Sequence, residues 1–146
     1  MQLTLIILGL VIIAGLGFYA GKLLFQLKQQ TQKQTEARNK RIANITESIQ
    51  TIALAMEQQQ CDLSEGVIRI CNLLDAIPVL PQPNYALEYP AVYELYAKIR
   101  HFPTHDARNA LTKQERRRQD KEREEIESQF ESDIIKEVGR LKSLSV

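Results

Sequence analysis

Between Met1 and Gly21 there is no charged side chain, and the run LTLIILGLVIIAGLGFYAG from Leu3 to Gly21 is 19 residues long. Wound as a helix, it reaches about 28 Å, close to the ~30 Å hydrocarbon core of a bilayer. A transmembrane anchor over residues 1–21 is therefore expected. A cleaved secretory signal is the competing reading, and it needs a basic start and small residues before the cleavage point. Met1 and Gln2 supply no basic side chain, and cleavage after Ala20 would place Phe18 where a small residue is required. Only Gly15 and Gly17 offer a poor alternative, so the anchor is expected to stay on the chain.

The flank sets the expected orientation. Lys22, Lys28, Lys33, Arg38, Lys40 and Arg41 face only Glu36, a net charge of +5 over residues 22–41. The positive-inside rule then assigns everything after residue 21 to the cytoplasm. From Lys28 to Arg41 Ala37 is the only apolar residue, which predicts a solvated stalk helix over 22–41 with no packing face. Residues 42–146 hold 13 basic and 17 acidic side chains, a balance of −4 that the overall +1 conceals. A general nucleic-acid binder carries a basic domain, so nucleic acid is not the expected partner.

Within 42–146 the periodicity is helical. Ile42, Ile45, Ile49, Ile52 and Met56 form one stripe on a helix predicted to reach about Gln60. In CDLSEG, Asp62 and Glu65 have capping-box spacing before Leu63, Val67, Ile70, Cys71, Leu74 and Ile77, a pattern that Pro78 ends. The segment 78–90 holds four of the five prolines and reads as an irregular connector; the spacing of Pro78 and Pro81 as a PxxP ligand is the minor alternative. Pro90 suits a first helical turn, followed by Val92, Leu95 and Ile99, with Tyr93 and Tyr96 at the edge of that face. Thr112 and Glu115 again have capping-box spacing, and Ile126, Phe130, Ile134, Val138 and Leu141 stripe only the later part of a helix running to about Ser143. The expected fold is all-α: an N-terminal transmembrane helix (1–21), a stalk helix (22–41) and a small cytosolic bundle of about four helices (42–146).

The chemistry-bearing stretch is HFPTHDARNALTKQERRR, residues 101–118. His101 and His105 are four apart, but Pro103 lies between them, and the chain has no third histidine to complete a cluster with Asp106. No metal or cofactor is expected. Cys61 and Cys71, ten apart, make no zinc pattern, and Cys71 shares its stripe with Val67 and Leu74, which predicts burial rather than reactivity. There is no glycine-rich phosphate loop or G-x-S-x-G elbow, so an enzyme is not expected. A helix junction, with Pro103 ending one helix and Thr112 starting the next, accounts for most of the stretch, and Thr104 or Asp106 can cap a turn between them.

The charges go beyond a junction. Residues 98–118 carry +5 and residues 119–137 carry −5. The pairs Arg116 with Asp120, Arg118 with Glu122, Lys121 with Glu125 and Arg123 with Glu127 run in the less favourable direction, and three arginines near a helix start oppose the macrodipole. Helix stability alone does not select that order. Arg100, His101, His105, Asp106, Arg108, Arg116, Arg117 and Arg118 therefore form the candidate interaction surface, with a solvated helix paired within its own bundle as the alternative.

The run YPAVYELYAKIRHFPTHDARNALTKQERRRQDKEREE, preceded by the amphipathic helices from Ile42, resembles a family of small gammaproteobacterial single-pass membrane proteins known only as a domain of unknown function. The resemblance covers residues 42–142, and HFPTHDARNALTKQER is its most distinctive part. It implies that the apolar opening is native to the chain, and it carries no activity, cofactor or site. The expected location is then a bacterial inner membrane, with the N-terminus periplasmic and the C-terminal domain cytoplasmic.

The expected function is that of a noncatalytic membrane-tethered adaptor or scaffold with an unidentified protein partner. Gly17 and Gly21 form a small-xxx-small pair through which two anchors can pack into a homo-oligomer. The alternatives are a membrane-localised metal-dependent hydrolase centred on His101, His105 and Asp106, and an RNA or anionic-lipid binder using residues 98–118.

Overall fold

The computed structural model describes the backbone of every residue except Thr104, and every side chain except those of Thr104, His105 and Asp106. Among the described residues all regular structure is helical: α1 (Gln2–Glu57), α2 (Leu63–Asp75), α3 (Tyr85–Glu88), α4 (Pro90–Ile99), α5 (His105–Asn109) and α6 (Lys113–Leu141). Two compact units divide the chain, residues 1–40 and residues 41–146.

From residue 2 on, the first unit lies within α1. Its 18-residue window of highest mean hydropathy, at 2.5, is unburied, and this is one helix long and apolar enough to cross a membrane. Large apolar side chains stand exposed from Leu3 to Leu27, past Lys22 to Leu23, Leu24, Phe25 and Leu27. Nothing in the unit packs against this surface. From Lys28 to Lys40 the helix is polar on every side apart from Ala37. The hydroxyls of Thr31 and Thr35 donate back to the carbonyls of Leu27 and Thr31, at 3.0 and 2.9 Å, so both are satisfied without a tertiary partner.

The second unit has a continuous apolar core. The last turns of α1 contribute Ile49, Ala53 and Met56, α2 contributes Val67, Ile70, Cys71 and Leu74, α4 contributes Val92, Leu95 and Ile99, and α6 contributes Ile134, Val138 and Leu141. α4 packs between α2 and α6. At the α1–α2 contact, Gly66 admits the thioether of Met56 where any Cβ would overlap it. The C-terminal tail returns to α1: Gln50 donates to the Leu144 carbonyl at 2.9 Å, and Lys142 pairs with Glu57 at 2.6 Å.

Three local expectations are corrected. α1 stops at Glu57 rather than near Gln60, because Gln59 turns left-handed (φ 56°) and the amide of Gln60 bonds back to Ala55 at 2.8 Å. That 6→1 bond closes a Schellman-type end without the usual glycine. At the start of α2, Asp62 occupies the cap position but makes no side-chain cap hydrogen bond, and Glu65 pairs forward with Arg69 at 2.6 Å instead of closing a capping box. The proline-rich connector is not irregular throughout: it contains the single turn α3, which buries Tyr85 and, at its end, Tyr89.

Candidate interaction surface

Two polar devices hold the segment that carries the candidate residues. The first sits at the start of α4. Its N-cap position is Tyr89, whose side chain makes no cap hydrogen bond, and Pro90 in the first turn lacks an N–H. The missing acceptor comes from another helix. The carboxylate of Glu137 on α6, only 7% exposed, accepts from the amides of Ala91 (3.1 Å) and Val92 (3.0 Å), one with each oxygen. Both amides lie at the positive end of the α4 dipole, where a negative charge is favoured. One turn along, Arg140 donates to the Glu88 carbonyl at 2.9 Å and lies over the Tyr89 ring at 5.2 Å. The corner from α3 to α4 is thus clamped to α6 from two sides.

The second device is a chain of charges along the polar part of α6. Thr112 and Glu115 form the predicted capping box, with the Thr112 hydroxyl accepting from the Glu115 amide and the Glu115 carboxylate accepting from the Thr112 amide at 2.8 Å. These bonds from Thr112, side chain first, hold the Glu115 carboxyl below its ordinary range. Arg108 on α5 then pairs with Asp120 at 2.8 Å, Arg123 reaches Asp120 at 3.5 Å and Glu127 at 3.6 Å, and the Ser64 hydroxyl at the start of α2 donates to Glu127. Hydrogen bonding from Arg108 is the main cause that lowers the Asp120 carboxyl, and the same bond holds the Arg108 guanidinium charged. The polar half of α6 is therefore tied to α5 and α2.

These ties sort the candidate residues. Arg108 is half-buried and committed to Asp120, so it belongs to the internal network. Arg116 was expected to pair with Asp120. Asp120 instead goes to Arg108 and Arg123, and Arg116 is half-buried, its Nε without a hydrogen-bond partner among the described residues. Arg100, which ends α4, and His101 just after it are exposed, as are Arg117 and Arg118 on α6. Of the expected pairs along α6, Lys121–Glu125 and Arg123–Glu127 form, at 3.9 and 3.6 Å. Arg117 and Arg118 make no ion pair among the described residues.

His105 and Asp106 begin α5, and their side chains lie outside the described residues, as does the proposed capping by Thr104 or Asp106. No group of three or more potential metal-binding side chains occurs among the described residues. Cys71 is fully buried, and burial, reinforced by the charge of Asp75, pushes its thiol up to about 12; burial also raises Cys61. Neither thiol is poised for nucleophilic attack. Gly17 and Gly21 have open space around them, with no atom within 4 Å of where a Cβ would stand.

Sequence reasoning missed Glu137, which reads as one more acid on a charged helix. The available signal was at the other end of the contact: a proline-started helix preceded by tyrosine rather than by Ser, Thr, Asp or Asn lacks a local cap.

The profile of the DUF2489 family, described as a protein of unknown function, matches residues 13–141. The chain belongs to the DUF2489 family. An uncharacterized protein of Haemophilus influenzae, a gammaproteobacterium, is 42% identical over 132 residues, which cover 90% of this chain and 87% of that one. No solved structure matches. In this DUF2489 chain the matched region takes in part of the exposed apolar run as well as the whole helical unit up to the end of α6.

Proposed function

We propose that this DUF2489 protein is a noncatalytic membrane-tethered adaptor of the bacterial inner membrane, with its N-terminus periplasmic and its helical unit in the cytoplasm. The uncharged apolar run from Leu3 to Gly21 and the basic flank after it support the tether and its orientation. The observation that carries the adaptor reading is the sorting of charge at the start of α6. Asp120 and Glu127 are consumed by Arg108, Arg123 and Ser64, which leaves Arg117 and Arg118 exposed and without an ion-pair partner among the described residues. An exposed bidentate donor on a braced helix suits a carboxylate-bearing partner protein, because the braced backbone limits the ordering cost of the contact.

The test is purification of the tagged full-length protein from native membranes in mild detergent, beside an Arg117→Glu/Arg118→Glu version that spares the half-buried Arg116. A protein that accompanies the first and is lost from the second identifies the partner and its surface. Equal recovery with both versions removes this surface from the function. Recovery of RNA or anionic lipid with steep salt sensitivity would replace the protein partner by a polyanion. Reporter fusions after residue 41 test the orientation, and the size of the mature chain tests retention of the anchor.

A further inference from the structure

Past Gly21 the two sides of α1 differ. On one side exposed apolar side chains continue through Leu23, Leu24 and Leu27, all about 100° or more around the helix from Lys22. On the other, Tyr19, Lys22 and Gln26 follow at spacings of three and four and so share one face. All three are exposed. The uncharged run ends at Gly21, about 30 Å along the helix from Met1, so Lys22 comes level with the edge of a bilayer's hydrocarbon core. A helical side chain leans toward the N-terminus and covers the turn before its own Cα, which brings the amide of Gln26 back over the level of Lys22. Tyr19 lies one turn deeper, in the interfacial layer where tyrosines collect. A modest lean of the helix keeps Leu24 and Leu27 against acyl chains while the opposite side meets headgroups. The charge around that side has one sign: Lys28 and Lys33 follow, and the first acidic side chain in the sequence is Glu36.

We infer that the face formed by Tyr19, Lys22 and Gln26 seats the phosphate of an anionic phospholipid in the leaflet that borders Lys22. The Lys22 ammonium pairs with the phosphate, and the Gln26 amide donates to a second of its oxygens. One turn deeper, the Tyr19 hydroxyl donates to an ester carbonyl of the same lipid. A zwitterionic lipid offers the same phosphate, but its cationic group would lie among Lys22, Lys28 and Lys33 with no carboxylate before Glu36 to receive it. The seat belongs to the first unit and Arg117 and Arg118 to the second, so this lipid contact is additional to the protein contact of those arginines. The inference rests on the tether half of the adaptor reading, which keeps the apolar run on the chain and in the bilayer. It does not depend on the protein partner.

The test is native mass spectrometry of the full-length protein, released from neutral detergent micelles to which dioleoyl phosphatidylglycerol or dioleoyl phosphatidylcholine is added in increasing amounts. Phosphatidylglycerol should bind about fivefold more tightly. Lys22→Gln should erase that preference. Lys33→Gln, which removes the same charge about 16 Å farther along the helix, should keep most of it. Tyr19→Phe/Gln26→Ala should weaken both lipids about fivefold and leave the preference in place. All four positions are exposed, so these variants disturb no packing. Arg117→Glu/Arg118→Glu should bind phosphatidylglycerol like the original. The inference is overturned by equal binding of the two lipids, by a preference that survives Lys22→Gln, or by a Tyr19→Phe/Gln26→Ala protein that binds like the original. It is equally overturned if Lys22→Gln and Lys33→Gln act alike, which would mean a diffuse basic field, or if Arg117→Glu/Arg118→Glu removes the preference. The same spectrum weighs the chain. A mass that lacks the apolar run removes the tether reading and the seat together, and a full-length mass without lipid preference removes the seat alone.

Discussion

α6 and α4 begin in opposite ways. α6 is capped by residues beside it in the chain, Thr112 and Glu115, whereas α4 is capped by Glu137, 45 positions beyond the Val92 amide it accepts from. The local cap is mostly exposed and can fray and re-form alone. The distant cap is buried, and it exists only when α4 and α6 are already packed. A cap drawn from another helix therefore couples secondary structure to tertiary structure: α4 has no complete N-terminus until the bundle is assembled.

The largest expected effect breaks that coupling. Glu137→Ala removes both acceptors from the part-buried amide of Ala91 and the buried amide of Val92 and should cost about 2–4 kcal/mol in urea unfolding. Glu137→Gln keeps one acceptor oxygen and should recover part of the loss. If Glu137→Ala were neutral, the clamp would be incidental to the bundle. Gly66→Ala comes next. The methyl meets the buried Met56 side chain, and the crowding, less the roughly 1 kcal/mol that alanine gains over glycine in a helix, should leave a net loss of about 1–2 kcal/mol. A stabilised protein would mean that Met56 repacks freely.

Thr112→Ala tests the local side of the comparison. It should cost about 1 kcal/mol or less, with faster amide exchange confined to the first turns of α6. Exchange spreading into α4 would show that the two starts are coupled after all. The smallest effect is the response to acid. The carboxyls of Glu115 and Asp120 lie below their ordinary values of 4.5 and 3.8 in the folded chain, so their contribution is present above those values. It is lost as pH falls through the depressed folded values. Amide exchange from residue 108 to residue 116 should therefore rise below about pH 4, before the apolar core opens. Salt should weaken the same region, because the Arg108–Asp120 pair is only half-buried.

The helical stripes were legible because burial repeats with the helix. Val67, Ile70, Cys71, Leu74, Val92, Leu95, Ile99, Ile134, Val138 and Leu141 are all in the core, as their spacing predicts. So was the Thr112 box, since both partners lie within one turn. The same spacing at Asp62 and Glu65 misled, because Arg69 one turn on offered Glu65 a better partner. In the candidate surface the sequence placed the arginines together but not their roles. It matched Asp120 to Arg116 on one helix, whereas Arg108 arrives from α5 and takes it.

The sequence by itself determined what depends on neighbours in the chain: a helix apolar enough to cross a membrane, a polar helical stretch after it, amphipathic helices with their buried faces, and the cap of α6. Tertiary structure alone decided which carboxylate completes α4, which arginines are spent internally and which stay exposed. Hydrophobic periodicity is set residue by residue along a helix. A hydrogen-bond acceptor or a counter-charge is assigned only among groups that packing has brought within about 3 Å of one another.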